Sequence, residues 1–214
     1  MSKKISLFAE TKNHAYDLRG YASYILSVIN PKTCSRILEI TSGTSVVEKS
    51  ITEIRPDLEY ESMYVCPALA EASYKMHIDP KQKTIERVVD RSQQYDYIIS
   101  WGLGEHLSKE LLVFFTMNLS SLVADDGAFV HFHMLDINKK WHYLMSDCRN
   151  AFDKLKIFMN VLLRRHTDHY ELTNTWHDPA ILHKKFLPWF HSSIITPSKT
   201  PYRFDIRLDK IKND

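Results

Sequence analysis

Between residues 35 and 135, short apolar runs alternate with helical patterns, and this alternation restricts the chain to a narrow set of folds. Ser35-Arg36-Ile37-Leu38-Glu39-Ile40 reads as a buried strand, and Thr41-Ser42-Gly43-Thr44-Ser45 as a turn of small polar residues. Val47, Ile51 and Ile54 then mark the inner face of a helix that Pro56-Asp57 ends. The cycle repeats with a strand over 58–63, a helix starting at Pro67 and a strand over Tyr95–Trp101. A helix follows in which Leu112, Phe115, Leu119 and Leu122 share one face, then a turn at Asp125-Asp126-Gly127 and a strand over 128–135. Strand, tight turn and helix make the first half of a βαβ unit. Its repetition implies a mainly parallel sheet with helices on both sides.

The flanks read differently. Leu18, Ala22, Ile25 and Ile29 recur at helical spacing until Asn30-Pro31 stops them. After Asp136, the residues Trp141, Leu144, Cys148, Phe152, Leu155 and Met159 mark one long amphipathic helix. A segment rich in histidine and aromatics follows from Arg164, and Tyr202-Arg203-Phe204-Asp205-Ile206-Arg207-Leu208 alternates as a half-buried edge strand does. One domain is expected: a helical cap over 1–31, a core over 35–135, and a helix, aromatic segment and edge strand over 136–214.

Charge and cysteine content narrow the setting. Lys+Arg is 28 against Asp+Glu 26, a net charge of +2, so no strong field draws the chain to nucleic acid or acidic lipid. No run approaches the roughly 20 apolar residues of a membrane span. Cys34, Cys66 and Cys148 are widely spaced and form no Cys-x-x-Cys, which fits a reducing, cytoplasmic compartment.

Glycine is scarce, with five residues in the chain. Gly43 follows the first strand, and Gly102 and Gly104 follow Tyr95–Trp101, all at the carboxyl ends of strands, where open α/β sheets bind ligands. Gly127 is read as turn geometry alone. No Gly-x-Gly-x-x-Gly, P-loop or Gly-x-Ser-x-Gly is present, so dinucleotide binding, phosphoryl transfer and acyl hydrolysis lack their usual signatures.

These residues resemble a family. Ile37-Leu38-Glu39-Ile40-Thr41-Ser42-Gly43-Thr44-Ser45 is similar to the first motif of class I S-adenosylmethionine-dependent methyltransferases. Tyr95-Asp96-Tyr97-Ile98-Ile99-Ser100 with Gly104-Glu105-His106-Leu107 resembles their fourth-strand motif, and Leu122 to Val130 resembles the turn and strand that come next. Two departures stand out: Thr41 and Ser45 occupy usual glycine positions, and Tyr64 replaces the acidic residue that holds the ribose. The resemblance implies a three-layer Rossmann-like sandwich, mostly parallel, with an antiparallel edge strand near the C-terminus. It implies S-adenosylmethionine as cofactor, surrounded by Glu39, Thr41, Gly43, Ser45, Tyr64, Val65, Trp101 and Gly102, with Asp79 a candidate on the adenine side.

Outside the motifs, His131 and His133 lie two apart on a strand and are expected on the same side. His133 or His106 could take a proton from an acceptor; the plainer alternative is packing under a helix. Trp101 could stack on an adenine, line the acceptor cavity or pack in the core. Tyr170, Trp176 and His177 are candidates for acceptor contact. His166, His169 and His177 lack a fourth ligand, so no metal site is expected. The resulting expectation is methyl transfer to a small-molecule O- or N-nucleophile, with a homodimer or partner protein compatible. The alternative is a methyltransferase-like scaffold that has lost its cofactor and serves as a binding or partner subunit.

Overall fold

The computed structural model describes residues 18–41, 47–65, 94–140, 142, 159, 175–199 and 201–210. Helix α1 (Leu18–Ile29) buries Ala22, Ile25 and Ile29, as their spacing predicts. It ends at Asn30, whose φ of 48° lets the chain turn into Pro31. Strand β1 (Arg36–Thr41), helix α2 (Glu48–Ile54), strand β2 (Glu59–Tyr64) and strand β3 (Tyr95–Trp101) follow. Helix α3 (Lys109–Leu119) starts where the Ser108 hydroxyl accepts from the Leu111 amide, and a 3-10 turn over Ser120–Leu122 leads into strand β4 (Val123–Leu135). Helix α4 (Pro179–Phe186), strand β5 (Phe190–Pro197) and strand β6 (Arg203–Lys210) complete the described chain.

The six strands form one sheet in the order β2-β1-β3-β4-β6-β5. The pairs among β1, β2, β3 and β4 are parallel, whereas β6 runs antiparallel to both β4 and β5. Helices α1 and α2 cover one side through Ala22, Ile25, Ile29 and Ile51 against Ile37, Ile99 and Val130. Helices α3 and α4 cover the other through Leu112, Phe115, Leu182 and Phe186 against Leu38, Ile98, Phe129 and Ile206. The predicted helix faces therefore meet a mixed α/β sheet in three layers.

Three local expectations are corrected. The expected antiparallel edge strand near the C-terminus is present, but it is β5, in the stretch read as an aromatic segment, whereas β6, read over 202–208 as that edge, lies inside the sheet. The charged residues of β6 suggested a solvent face, yet Asp205 is 1 % exposed and Arg203 9 %: the Tyr24 hydroxyl and the His133 amide pair with Asp205, and Glu105 pairs with Arg203. Asp125-Asp126-Gly127 is an outward bulge inside β4 rather than a turn before it, with the ladder resuming at Tyr97 and Ala128. A Cβ on Gly127 would sit 2.7 Å from the Asp96 carbonyl oxygen, so close backbone approach selects glycine there. The expected helices from Pro67 and across Trp141 to Met159 lie outside the described residues, apart from isolated positions.

Candidate functional site

The parallel register brings three strand ends to one edge. Ile40 pairs with Ser100 and Trp101 with Phe132, so Thr41, Trp101 and His133 lie along the carboxyl margin of β1, β3 and β4. Strand order reverses between β1 and β3, with β2 on one side and β4 on the other. Such a switch point opens a crevice that α/β sheets use for ligands. Thr41 is buried and its carbonyl accepts from the Val65 amide at 2.8 Å. Trp101 is half-buried against the α1 side. Gly102 has a φ of 65°, and an added Cβ would meet nothing within 4 Å, so conformation rather than crowding selects glycine and open space adjoins it.

Glu39 lies one turn of the pleat below this edge, fully buried, with Oε2 accepting from the Tyr60 hydroxyl at 3.0 Å. Burial first, then the Glu39 charge, raises the Tyr60 phenol well above its usual range, so it stays a donor. The backbone of Tyr64 pairs with Thr41 at the end of β2. The Tyr64 side chain, Gly43, Ser45, Asp79 and Tyr170 lie outside the described residues, as do His166 and His169.

The two strand histidines do not share a side, which corrects the expectation from their spacing. His131 pairs with Ile206 but Met134 pairs with Phe204, so β4 carries one extra residue, a β-bulge. His133 occupies it with a φ of 68°. The alternation breaks: His131 points to α3 and α4, whereas the His133 ring lies 4.7 Å from that of Trp101 and 5.9 Å from that of Tyr21 on α1. Two side chains of β6 hold the bulged backbone. The His133 amide donates to Asp205 Oδ1 at 2.7 Å, and its carbonyl accepts from Arg203 Nη1 at 2.8 Å. Arg203 also forms a largely buried ion pair with Glu105, and Asp205 Oδ2 accepts from the Tyr24 hydroxyl on α1.

His131 follows the plainer alternative. The Thr116 hydroxyl donates to the Leu112 carbonyl at 2.8 Å and so accepts from His131 Nε2 at 2.9 Å. Ser100 Oγ then donates to Nδ1 at 2.6 Å. The ring stacks on Phe186 at 5.8 Å, and burial lowers it to about 3, so it is neutral and structural. His133 is also lowered to about 3, by burial and then by the Arg203 charge. His106, half-buried after Gly104, is lowered by burial.

Trp176 and His177 stand beside the end of β4. His177 extends the sheet, its amide donating to the Leu135 carbonyl and its own carbonyl accepting from Ile137, both at 2.9 Å. Its Nε2 donates to the Gly104 carbonyl at 2.7 Å, pinning the turn that carries Glu105 and His106. Trp176 is 8 % exposed, with Lys140 Nζ 5.6 Å from its ring centre. No cluster of three metal-ligating side chains occurs among the described residues.

Sequence reasoning missed Tyr21, Tyr24, Arg203 and Asp205. The signal was present in β6, where charged residues from Arg203 to Asp209 alternate with apolar ones, but the same pattern serves an exposed face. Only pairing on both sides turns it into a buried clamp.

No protein-family model and no curated protein sequence matches the chain. Solved structures do. A proposed O-methyltransferase of Nostoc punctiforme PCC 73102 is 12 % identical over 95 % of this chain and 59 % of its own, with a TM-score of 0.58. The plantazolicin methyltransferase BpumL, solved with S-adenosylhomocysteine, is 12 % identical over 91 % of this chain and 82 % of its own, at 0.52. Mitomycin 7-O-methyltransferase MmcR is 11 % identical over 91 % and 53 %, at 0.51. This chain thus spans little more than half of the first and last of these proteins. The fold is that of class I S-adenosylmethionine-dependent methyltransferases.

Proposed function

We propose that this chain, with its methyltransferase fold, binds S-adenosylmethionine at the carboxyl edge of the sheet and methylates a small-molecule O- or N-nucleophile. The observation that supports this most is the position of Thr41, Trp101 and Gly102. They flank the switch point of a fold that, in BpumL, was solved with S-adenosylhomocysteine. The described residues fit such a ligand. Glu39 places a buried carboxyl group near the end of β1, where an ammonium group could pair with it, Gly102 adjoins open space, and the half-buried Trp101 indole stands at the same strand edge. By the motif likeness, Gly43 and Ser45 in the turn after β1 and Tyr64 at the end of β2 would surround the same ligand.

When bound, the cofactor supplies a methyl group on a cationic sulfonium that leaves as a neutral thioether. The chain's residues must then hold the acceptor in line with that methyl and keep water away, which can supply much of the rate. His133, neutral because of burial, adds no positive charge beside the sulfonium. With so low a proton affinity it serves better as a hydrogen-bond acceptor than as a strong base. That favours acceptors that need no prior loss of a high-pKa proton. His106 is the second candidate base. Trp176 supplies an apolar wall on the acceptor side, and His177 acts through the turn it pins.

Calorimetric titration with S-adenosylmethionine and S-adenosylhomocysteine tests the reading. Micromolar binding by the wild type, weakened in Trp101→Ala, is the expected result. Absence of heat at millimolar ligand would discard it in favour of the scaffold alternative.

A further inference from the structure

We propose that Asp205 is a positioning residue that couples helix α1 to the presentation of His133 in the crevice; the functional meaning of this coupling rests on the methyl-transfer reading above. A histidine in the left-handed region carries a backbone cost, and such residues persist only where their surroundings over-determine them. Here the surroundings are specific. Bulging removes the His133 amide and carbonyl from the ordinary ladder, and Asp205 and Arg203 satisfy them instead. Buried backbone groups left without such partners would be costly, so the clamp fixes the bulge.

Asp205 does more than satisfy one amide. Its second oxygen accepts from Tyr24 in the middle of α1, and one turn earlier Tyr21 touches both Trp101 and His133. Seating of α1 and the position of the His133 ring are therefore tied through the Asp205 carboxylate, 1 % exposed, alongside the direct Tyr21 contact. Arg203 is the other arm, anchored by Glu105 in the turn after β3. An ordinary β-strand would send the residue at 133 to the opposite side, under α3 and α4, where His131 already sits. The clamp is what turns it toward the crevice.

Histidine-selective carbon-13 labelling with NMR reads this directly. The His133 ring near the Trp101 indole should give a ring-current-displaced signal, assigned with His133→Gln. His131, locked by Ser100 and Thr116, serves as the internal control. Asp205→Leu should abolish the displacement of the His133 signal and leave that of His131 in place. Asp205→Asn should restore it, because the amide oxygen still accepts from His133 and the amide nitrogen donates to Tyr24. Tyr24→Phe should move the His133 signal although it lies in another element.

The proposal falls if the His133 signal is unmoved in both Asp205→Leu and Tyr24→Phe, or if Asp205→Asn fails to rescue it. It falls also if His131 moves as much as His133, which would indicate a general structural role. Should Asp205→Leu fail to fold, the Asn and Phe variants decide. S-adenosylhomocysteine affinity, measured in parallel, separates the two readings. No binding by the wild type removes the methyl-transfer reading, whereas the NMR result stands or falls independently.

Discussion

His131 and His133 illustrate how backbone conformation outranks spacing. One ring is locked between Ser100 and Thr116 beneath α3, and the other lies against Trp101 on the α1 side, because His133 itself is left-handed. Glycine at two positions separates the same two causes, conformation and space. Gly102→Ala adds a Cβ that meets nothing, so only its positive φ is penalised, and a loss of about 1 kcal/mol is expected. Gly127→Ala forces a Cβ to within 2.7 Å of the Asp96 carbonyl oxygen and 2.8 Å of that of Ala124. Backbone must move there, and a cost of about 1–3 kcal/mol is expected. Urea unfolding of both variants checks the order; Gly102→Ala as the more damaging of the two would contradict it.

At the scale of elements, α3 and β5 make opposite predictions. The Ser108 hydroxyl satisfies the Leu111 amide at the start of α3, whose inner residues Leu112, Phe115 and Leu119 form much of one core layer. Ser108→Ala should cost about 1 kcal/mol, read as a lowered unfolding midpoint with an unchanged denaturant slope. Strand β5 ends the sheet and contributes Phe190 to the core, yet Ile194 is 50 % exposed. Ile194→Lys should change stability by no more than about 0.5 kcal/mol and reduce any association along the sheet edge. Light scattering at high protein concentration, with a denaturation curve, tests both halves. A large loss of stability would mean that Ile194 is packed.

For the whole molecule, buried histidines such as His131 and His133 link stability to pH, and the same long-range packing marks the limit of what local sequence could tell. Folded His131 and His133 are both lowered to about 3 from 6.5, so the unfolded chain binds more protons between those values. Their contribution is fully present above pH 6.5 and declines as pH falls toward 3, by about 1.4 kcal/mol per pH unit for each group. His131→Leu should be less stable near neutrality yet lose stability less steeply between about pH 7 and pH 5; an unchanged slope would contradict this. Much of the fold was legible locally. Burial on one side of a helix or within a parallel strand leaves a periodic trace, so α1, β3 and the inner face of α3 stand where their spacing placed them. The alignment of Thr41, Trp101 and Gly102 along the carboxyl edge of the sheet was legible for the same reason, since strand ends and glycines mark it. Which side His133 faces was not, because its bulge is held by Asp205, 72 residues away, on a strand whose charges look like a solvent face until both neighbours are in place. Periodicity within each segment is enough to set the elements and their apolar faces, whereas the sheet edge, the clamp and the placing of the His133 ring against Trp101 came from tertiary pairing, because they depend on which distant charge meets which backbone group.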